Sequence, residues 1–150
     1  MKIILGAAQF GMDYGISNKL GQTNLKEVGH IIDFAYKNGI RDIDTASIYG
    51  NSEKVLGEVF SDANDWKIIT KTVSFQDDII TEKQLDILKQ SFDDSMNKLK
   101  KYQLYGLLVH SCDDLFKPGG SKILKYLEEL RLSGSIKRIG VSIYNSYQID

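Results

Sequence analysis

The feature that most constrains the fold of this chain is the regular alternation of short apolar segments with amphipathic helical patterns. Short apolar runs typical of strands cover residues 3–5, 41–45, 67–72, 105–110 and 137–142, and helical patterns separate them. Parallel strands need crossovers of this length, whereas antiparallel strands can be joined by a tight hairpin. The order βαβαβαβαβ therefore predicts an α/β fold with a parallel sheet. On this pattern alone, an open doubly wound sheet and a partial (β/α) barrel are both compatible.

The predicted helices have recognisable ends. A helix over about 24–38 has Asn24 as a candidate N-cap and Gly39 as its stop, and a shorter helix begins near Ser52, itself a plausible cap. The third is announced by the capping-box spacing of Thr81-Glu82-Lys83-Gln84, and the fourth covers 121–132. The 3.6-residue period predicts two sets of buried apolar positions: Leu25, Val28, Ile32 and Ala35 in the first helix, and Ile123, Leu124, Leu127 and Leu130 in the fourth.

Strand parity places polar side chains at one edge of the predicted sheet. Successive strand residues face opposite sides, so Lys71, His110 and Ser142 each end a strand on the face away from the helices. Asp44 occupies the equivalent place in the second strand, whereas Asp42, nearer that strand's start, is expected to be solvated or salt-bridged. Active sites of parallel β/α folds are built at the carboxyl ends of the strands. We therefore expect a functional site at this edge.

Charge and composition exclude several classes of protein. The net charge is −1, and the densest basic run, residues 98–101, ends a helical pattern where it favours the helix dipole, so we expect no nucleic-acid partner. No stretch approaches the roughly 18 apolar residues of a membrane span, and a single cysteine, Cys112, fits a reducing compartment. We expect a cytoplasmic protein, one domain over residues 1–150 and no metal site. His30 is expected at the surface, Trp66 in packing, and Cys112 as a bystander.

The types of residue at the predicted edge suit proton transfer. Asp44, Tyr49, Lys71 and His110 combine a carboxylate, a phenol, an ammonium and an imidazole. An ammonium stabilises a neighbouring phenolate, a carboxylate can hold the ammonium charged and in position, and a neutral imidazole can donate a hydrogen bond to a substrate oxygen. Such a set suits reduction of a carbonyl by hydride from a nicotinamide, with Tyr49 as the general acid. Taken singly, each residue also has an ordinary structural explanation.

The order of these residues resembles the aldo-keto reductase superfamily. The resemblance rests on Asp44-Thr45-Ala46-x-x-Tyr49-Gly50-x-Ser52-Glu53, followed by Ile68-Ile69-Thr70-Lys71, Leu107-Leu108-Val109-His110 and Gly140-Val141-Ser142, after an opening Leu5-Gly6-x-x-x-Phe10-Gly11. Each string alone is weak, but together they span nearly the whole chain in order.

The resemblance implies a (β/α)₈ barrel of the TIM-barrel type that binds NADP(H) or NAD(H), here only as a partial barrel of about five β/α units. It agrees with the absence of a G-x-G-x-x-G fingerprint. It implies that Tyr49 is the general acid, that Lys71 is its charge partner held by Asp44, and that His110 orients a small-molecule carbonyl substrate. Ser142, with Asp44, is implied at the nicotinamide. The asparagine that commonly follows this serine is replaced here by Ile143, so no asparagine contact is predicted.

The length leaves two functional classes open. Eight β/α units need about 250 residues, and the 150 residues here hold five strands, so the C-terminal half of such a barrel is expected to be absent. The chain is thus either the catalytic part of an NAD(P)H-dependent oxidoreductase or a truncated, non-catalytic module with an assembly or regulatory role. The first and last strands would be unpaired edges, which predicts self-association through them.

Overall fold

A computed structural model describes residues 3–60 and 65–149 and shows one parallel sheet backed by helices. The five strands are β1 (Ile4–Gly6), β2 (Asp42–Asp44), β3 (Lys67–Lys71), β4 (Leu104–Val109) and β5 (Ile136–Val141), and they lie in sequence order. The helices are α1 (Ala8–Gly11), α2 (Leu25–Lys37), α3 (Ser52–Val59), α4 (Glu82–Leu99) and α5 (Ser121–Leu132), with short 3₁₀ turns at Cys112–Leu115 and Ser146–Gln148. The predicted α/β class is confirmed.

The strand order decides between the two architectures that the sequence left open. A doubly wound sheet reverses its strand order at a switch point, whereas each strand here pairs in parallel with the next one along the chain. The arrangement is that of consecutive β/α units of a barrel, and the described part of the chain forms a partial one.

Local capping fixes the helix ends near the predicted positions. The Asn24 side chain accepts a hydrogen bond from the Glu27 N–H at 3.0 Å, and the capping box of Thr81 and Gln84 forms at the start of α4. Gly39 and Gly134 follow α2 and α5 with φ of 81° each, a conformation that favours glycine. These signals were legible in the sequence because each involves residues only a few positions apart.

The core lies between the helix-facing side of the sheet and the helices. Each of the longer helices packs its apolar side against the sheet. The strand side chains in this core are almost fully buried: Ile43, Ile68, Leu107, Val109 and Ile136. Burial of these side chains contributes most of the stabilisation, because the hydrophobic effect scales with the apolar area removed from water. The sheet's other face carries the polar strand ends.

Three details of the sequence prediction are wrong. Leu25 and Leu124 are each 48% exposed, because each lies at the rim of its helix stripe rather than on it. Ser52 is the first residue of α3, not its cap, and its buried hydroxyl donates to the Ala7 carbonyl at 2.8 Å. Asp42 is only 4% exposed, so the solvated alternative does not hold for it, and the salt-bridged alternative stays a prediction. By contrast His30 is exposed, and Trp66 is buried beside Tyr36 and Phe60, as expected.

A close approach of two backbones fixes the loop that carries Tyr49. A Cβ added at Gly11 would lie 1.9 Å from the Tyr49 carbonyl oxygen, and one added at Gly50 would lie 2.2 Å from the Gly11 carbonyl oxygen. Gly50 also has a φ of 57°. The Asn51 N–H donates to the Gly11 carbonyl at 3.2 Å, which closes the contact. Only glycine fits at both positions, and the end of α1 thereby sets the position of the turn after β2.

Candidate active site

An ion pair joins the ends of β2 and β3. Lys71 Nζ donates to both carboxylate oxygens of Asp44, at 2.8 and 2.7 Å, and to the Thr45 carbonyl at 2.9 Å. The lysine side chain is 6% exposed and the aspartate side chain 33% exposed. All three donor positions of the ammonium are therefore used, which is the condition under which a buried charge is tolerated.

The strand register explains why these two side chains meet. Asp44 pairs across the sheet with Ile69, so Lys71 lies two residues further along β3 on the same face. The long aliphatic side chain of Lys71 extends back across these two residues to the Asp44 carboxylate. The Ser47 hydroxyl donates to the Lys71 carbonyl at 3.1 Å and ties the turn after β2 to the end of β3.

Tyr49 lies in that turn, and its ring is close to the lysine and the histidine. Lys71 Nζ is 5.0 Å from the centroid of the Tyr49 ring, and the rings of Tyr49 and His110 meet edge to face at 6.3 Å. On another side, the ring of Tyr14 stacks on Tyr49 at 6.4 Å. The structure thus brings the four residues singled out in the sequence, Asp44, Tyr49, Lys71 and His110, into one cluster.

His110 follows β4 and is 7% exposed. Its backbone N–H donates to Thr72 Oγ1 at 3.1 Å, which joins the residue after β4 to the residue after β3. Burial, assisted by the positive charge of Lys71, lowers the pKa of His110 below its usual value, although Asp44 and Asp114 oppose the shift. This lowering favours the neutral form of the imidazole at physiological pH.

Ser142 follows β5 at the same edge of the sheet. Its backbone N–H donates to the Val109 carbonyl at 2.9 Å, and its side chain is half-buried, so the hydroxyl is held beside the strand that leads to His110. Asn145 lies further along and caps the 3₁₀ turn Ser146–Gln148. Its side chain therefore serves the backbone of this turn.

A cleft of about 410 Å³ opens beside Tyr49. Its walls come from the ends of β1 and β2 and from the loop after α1, and they include Gln9, Tyr14, Asp44 and Tyr49. The Gln9 side chain donates to the Tyr14 carbonyl at 2.9 Å, and Asn18 Nδ2 donates to the Tyr14 and Gly21 carbonyls. The loop that forms the mouth of the cleft is thus held by its own amide side chains.

A buried clamp between two loops was not predicted. Asp114 is fully buried, accepts from the Phe75 N–H at 3.1 Å and pairs with Lys117 Nζ at 2.7 Å, while the same ammonium donates to the Phe75 carbonyl at 2.6 Å. This clamp links the loop after β3 to the loop that follows His110. Nothing in the local sequence indicates it, because Phe75 and Asp114 are 39 positions apart.

Comparison with known proteins gives the family. The family model described as "Aldo/keto reductase family" matches residues 2–150. The chain belongs to this family. The resemblance carried by these strings of the sequence is thereby confirmed, and the family's barrel fold agrees with the partial barrel described above.

Solved structures of aldo-keto reductases share the fold. A protein of Pseudomonas aeruginosa, whose assignment as an aldo-keto reductase is provisional, is 26% identical with a TM-score of 0.76, over 93% of this chain and 54% of that one. The holo form of an aldo-keto reductase from Bacillus halodurans is 21% identical with a TM-score of 0.71, over 94% and 45%. An aldo-keto reductase of Bombyx mori in complex with NADP is 22% identical with a TM-score of 0.68, over 98% and 48%.

The chain spans about half the length of these solved structures. A search of curated proteins found no match. In the described ranges, no helix is long and apolar enough to cross a membrane.

Proposed function

We propose that this chain carries the proton-delivery residues of an NAD(P)H-dependent oxidoreductase that reduces an aldehyde or ketone. The observation that supports the proposal most directly is the cluster in which Lys71 bridges the Asp44 carboxylate and the Tyr49 ring, with His110 against the same ring. Family membership supports the reaction class, and relatives in the family have been solved with NADP or NADPH bound.

Each of the four residues then has a role. Tyr49 donates its phenolic proton to the carbonyl oxygen as the carbon is reduced, and the product is an alcohol. The Lys71 ammonium stabilises the phenolate that remains, and Asp44 keeps that ammonium charged and in place. The neutral His110 donates a hydrogen bond that orients the carbonyl oxygen. A bound NAD(P)H would supply the hydride that the carbonyl carbon accepts.

The residues at the edge of the sheet fit a nicotinamide. A carboxamide needs a hydroxyl or carboxylate partner, and the half-buried Ser142 and the partly exposed Asp44 provide both. Ser142 and Asp44 would hold the nicotinamide, with the Ser142 hydroxyl at its carboxamide. We also propose that residues 1–150 act as one partial-barrel domain.

The test is a titration of NADPH into the 150-residue chain, followed by fluorescence, with turnover of an aromatic aldehyde followed by NADPH absorbance. Tyr49→Phe is expected to abolish turnover and to leave the affinity for NADPH nearly unchanged. Tyr102→Phe is the matched control, because Tyr102 is 99% exposed. Turnover retained in Tyr49→Phe would refute the assigned acid. Absence of NADPH binding would show that the chain alone is not an oxidoreductase.

The second candidate is a non-catalytic aldo-keto-reductase-like module that assembles with another chain. It is favoured by the finding that the chain covers only about half of the length of the related solved structures. It is also favoured by the sheet, because in the described residues β1 pairs with β2 alone and β5 with β4 alone. The apolar Ile4 and Val141 are partly exposed on these edge strands. We propose self-association through the edges, and a monodisperse monomer in light scattering at high concentration would refute it.

A further inference from the structure

A second tyrosine contacts the same histidine. Tyr144, three residues beyond the end of β5, places its hydroxyl oxygen 3.4 Å from His110 Nε2. The sequence pattern gave Tyr144 no role, and none of the strings that carry the family resemblance includes it. The contact joins the segment after β5 to the side chain after β4, and Nε2 is the nitrogen of the imidazole that it reaches.

The backbone that presents Tyr144 is held by one amide side chain. Gln148 Oε1 accepts from the Tyr144 N–H at 2.7 Å and from the Asn145 N–H at 3.1 Å. Gln148 Nε2 donates to Asp113 Oδ1 at 3.1 Å, in the turn that directly follows His110. The tyrosine is therefore tethered to the loop of the histidine that it contacts. Its ring is 69% exposed, so packing in the core does not account for its position.

The other imidazole nitrogen identifies where the proton lies. His110 Nδ1 is buried and has no hydrogen-bond partner among the residues of 3–60 and 65–149. A neutral imidazole carries one N–H, and a buried N–H without an acceptor costs about 1–3 kcal/mol. Placing the proton on Nε2 avoids this cost, because the hydroxyl of Tyr144 accepts it there. The unpaired Nδ1 is then an acceptor, which is left unsatisfied more readily than a donor.

We propose that Tyr144 is a positioning residue for His110: its hydroxyl accepts a hydrogen bond from Nε2–H and selects the tautomer in which this nitrogen is the donor. The tether through Gln148 sets the distance, and burial of Nδ1 without an acceptor disfavours the alternative tautomer. Tyr144 thus acts on the imidazole and not on the reacting atoms.

The consequence for catalysis rests on the proposed function. In this tautomer the Nε2–H is the only donor that a neutral His110 can offer to a carbonyl oxygen. In the substrate-free chain the hydroxyl of Tyr144 takes this hydrogen bond and keeps the ring oriented. A bound carbonyl oxygen accepts it instead, so the donor is prepared before the substrate arrives.

The test is nitrogen NMR of the imidazoles in the uniformly ¹⁵N-labelled 150-residue chain. The chain has two histidines, and the exposed His30 is an internal reference. At about pH 8, above the ordinary histidine pKa of about 6.5, wild-type His110 is expected to show the Nε2–H tautomer. In Tyr144→Phe the Nε2 resonance is expected to shift and the tautomer ratio to move toward Nδ1–H, with His30 unchanged.

Matched variants separate this role from general disturbance. Tyr147→Phe removes a hydroxyl from the same turn, 68% exposed, and is expected to leave the His110 nitrogens unchanged. Gln148→Ala keeps the Tyr144 hydroxyl but releases its tether, and is expected to shift His110 in the same direction as Tyr144→Phe. An Nδ1–H tautomer in the wild type, or His110 nitrogens in Tyr144→Phe that coincide with wild type, overturns the proposal. Neither cofactor nor turnover enters the measurement, so failure of the proposed function leaves its result intact.

Discussion

The ion pair of Asp44 and Lys71 makes a quantitative prediction because the two partners are unequally buried. The lysine side chain is 6% exposed and the aspartate side chain 33% exposed. Asp44→Asn removes the negative charge and leaves the ammonium buried. Lys71→Met removes the ammonium, fills the space of its stem with an apolar chain, and leaves a carboxylate that water can reach. The two single substitutions should therefore differ in cost, although they break the same pair.

The magnitude follows from the geometry. Two unit charges at ~4 Å attract by about 4 kcal/mol at an effective dielectric constant of 20. Removing one partner of a fully buried pair typically costs about 3–5 kcal/mol. Solvent at the aspartate and the retained bond from Lys71 to the Thr45 carbonyl reduce this cost here. We expect Asp44→Asn to lower the free energy of unfolding by about 2–3 kcal/mol, and Lys71→Met by about half of that.

The assay is urea unfolding of the two single variants and the double variant. With a slope of roughly 1.5–2 kcal/mol/M, the Asp44→Asn midpoint should fall by about 1–2 M. The double variant should be no less stable than Asp44→Asn, because it no longer carries a stranded ammonium, so the two costs should not add. Additive costs, or a larger loss in Lys71→Met than in Asp44→Asn, would refute the reasoning from burial.

Two further predictions concern backbone contact and pH. Gly11→Ala should lower the free energy of unfolding by about 1–3 kcal/mol, since its Cβ would lie 1.9 Å from the Tyr49 carbonyl oxygen. Gly29 lies in α2, and a Cβ added there has no atom within 4 Å. Gly29→Ala should therefore raise the free energy of unfolding by about 0.5–1 kcal/mol. Thermal unfolding of both variants measures this, and a stable Gly11→Ala would contradict the close approach. The lowered pKa of His110 means that, as the pH falls below about 6.5, the unfolded chain takes up a proton that the folded chain does not. Wild type should therefore lose more stability between about pH 7 and pH 5 than His110→Gln, and parallel losses in urea titrations would contradict this sign.

Local patterns predicted most of the fold. The helix over 121–132, the Asn24 cap and the capping box at Thr81 depend on neighbours within a few residues, and the structure contains all three. Strand parity also placed Lys71 and His110 on the same side of the sheet as Asp44. These features can be predicted from the sequence because their physical causes act within one segment. The causes are the hydrogen-bonding capacity of the capping side chains and the two-residue period of a strand.

Contacts between distant segments could not be predicted from the sequence. Ser52 has the composition of a cap, but its hydroxyl bonds to the Ala7 carbonyl, 45 positions away. Likewise the pairing of Gly11 with the turn of Tyr49, the clamp of Asp114 and the contact of Tyr144 with His110 depend on where strands bring separate loops. A polar or glycine residue in such a place looks like an ordinary loop residue until the topology is known.

The dependence of long-range contacts on strand neighbours also decides which parts of the site a partial barrel can form. The bond between Asp44 and Lys71 joins β2 to its neighbour β3, and the bond from the His110 N–H to Thr72 joins the ends of β3 and β4. Both depend only on strands that this chain contains, so closure of a complete barrel is not needed to form them. Cofactor binding differs. Only two proposed partners of the cofactor, Ser142 and Asp44, lie at the carboxyl ends of the described strands. Ser142 follows β5, which within the described residues pairs with β4 alone. We therefore expect the proposed proton-delivery geometry to persist where cofactor affinity is weak. A chain that folds with His110 in its predicted tautomer but binds NADPH poorly would show the two properties to be separable.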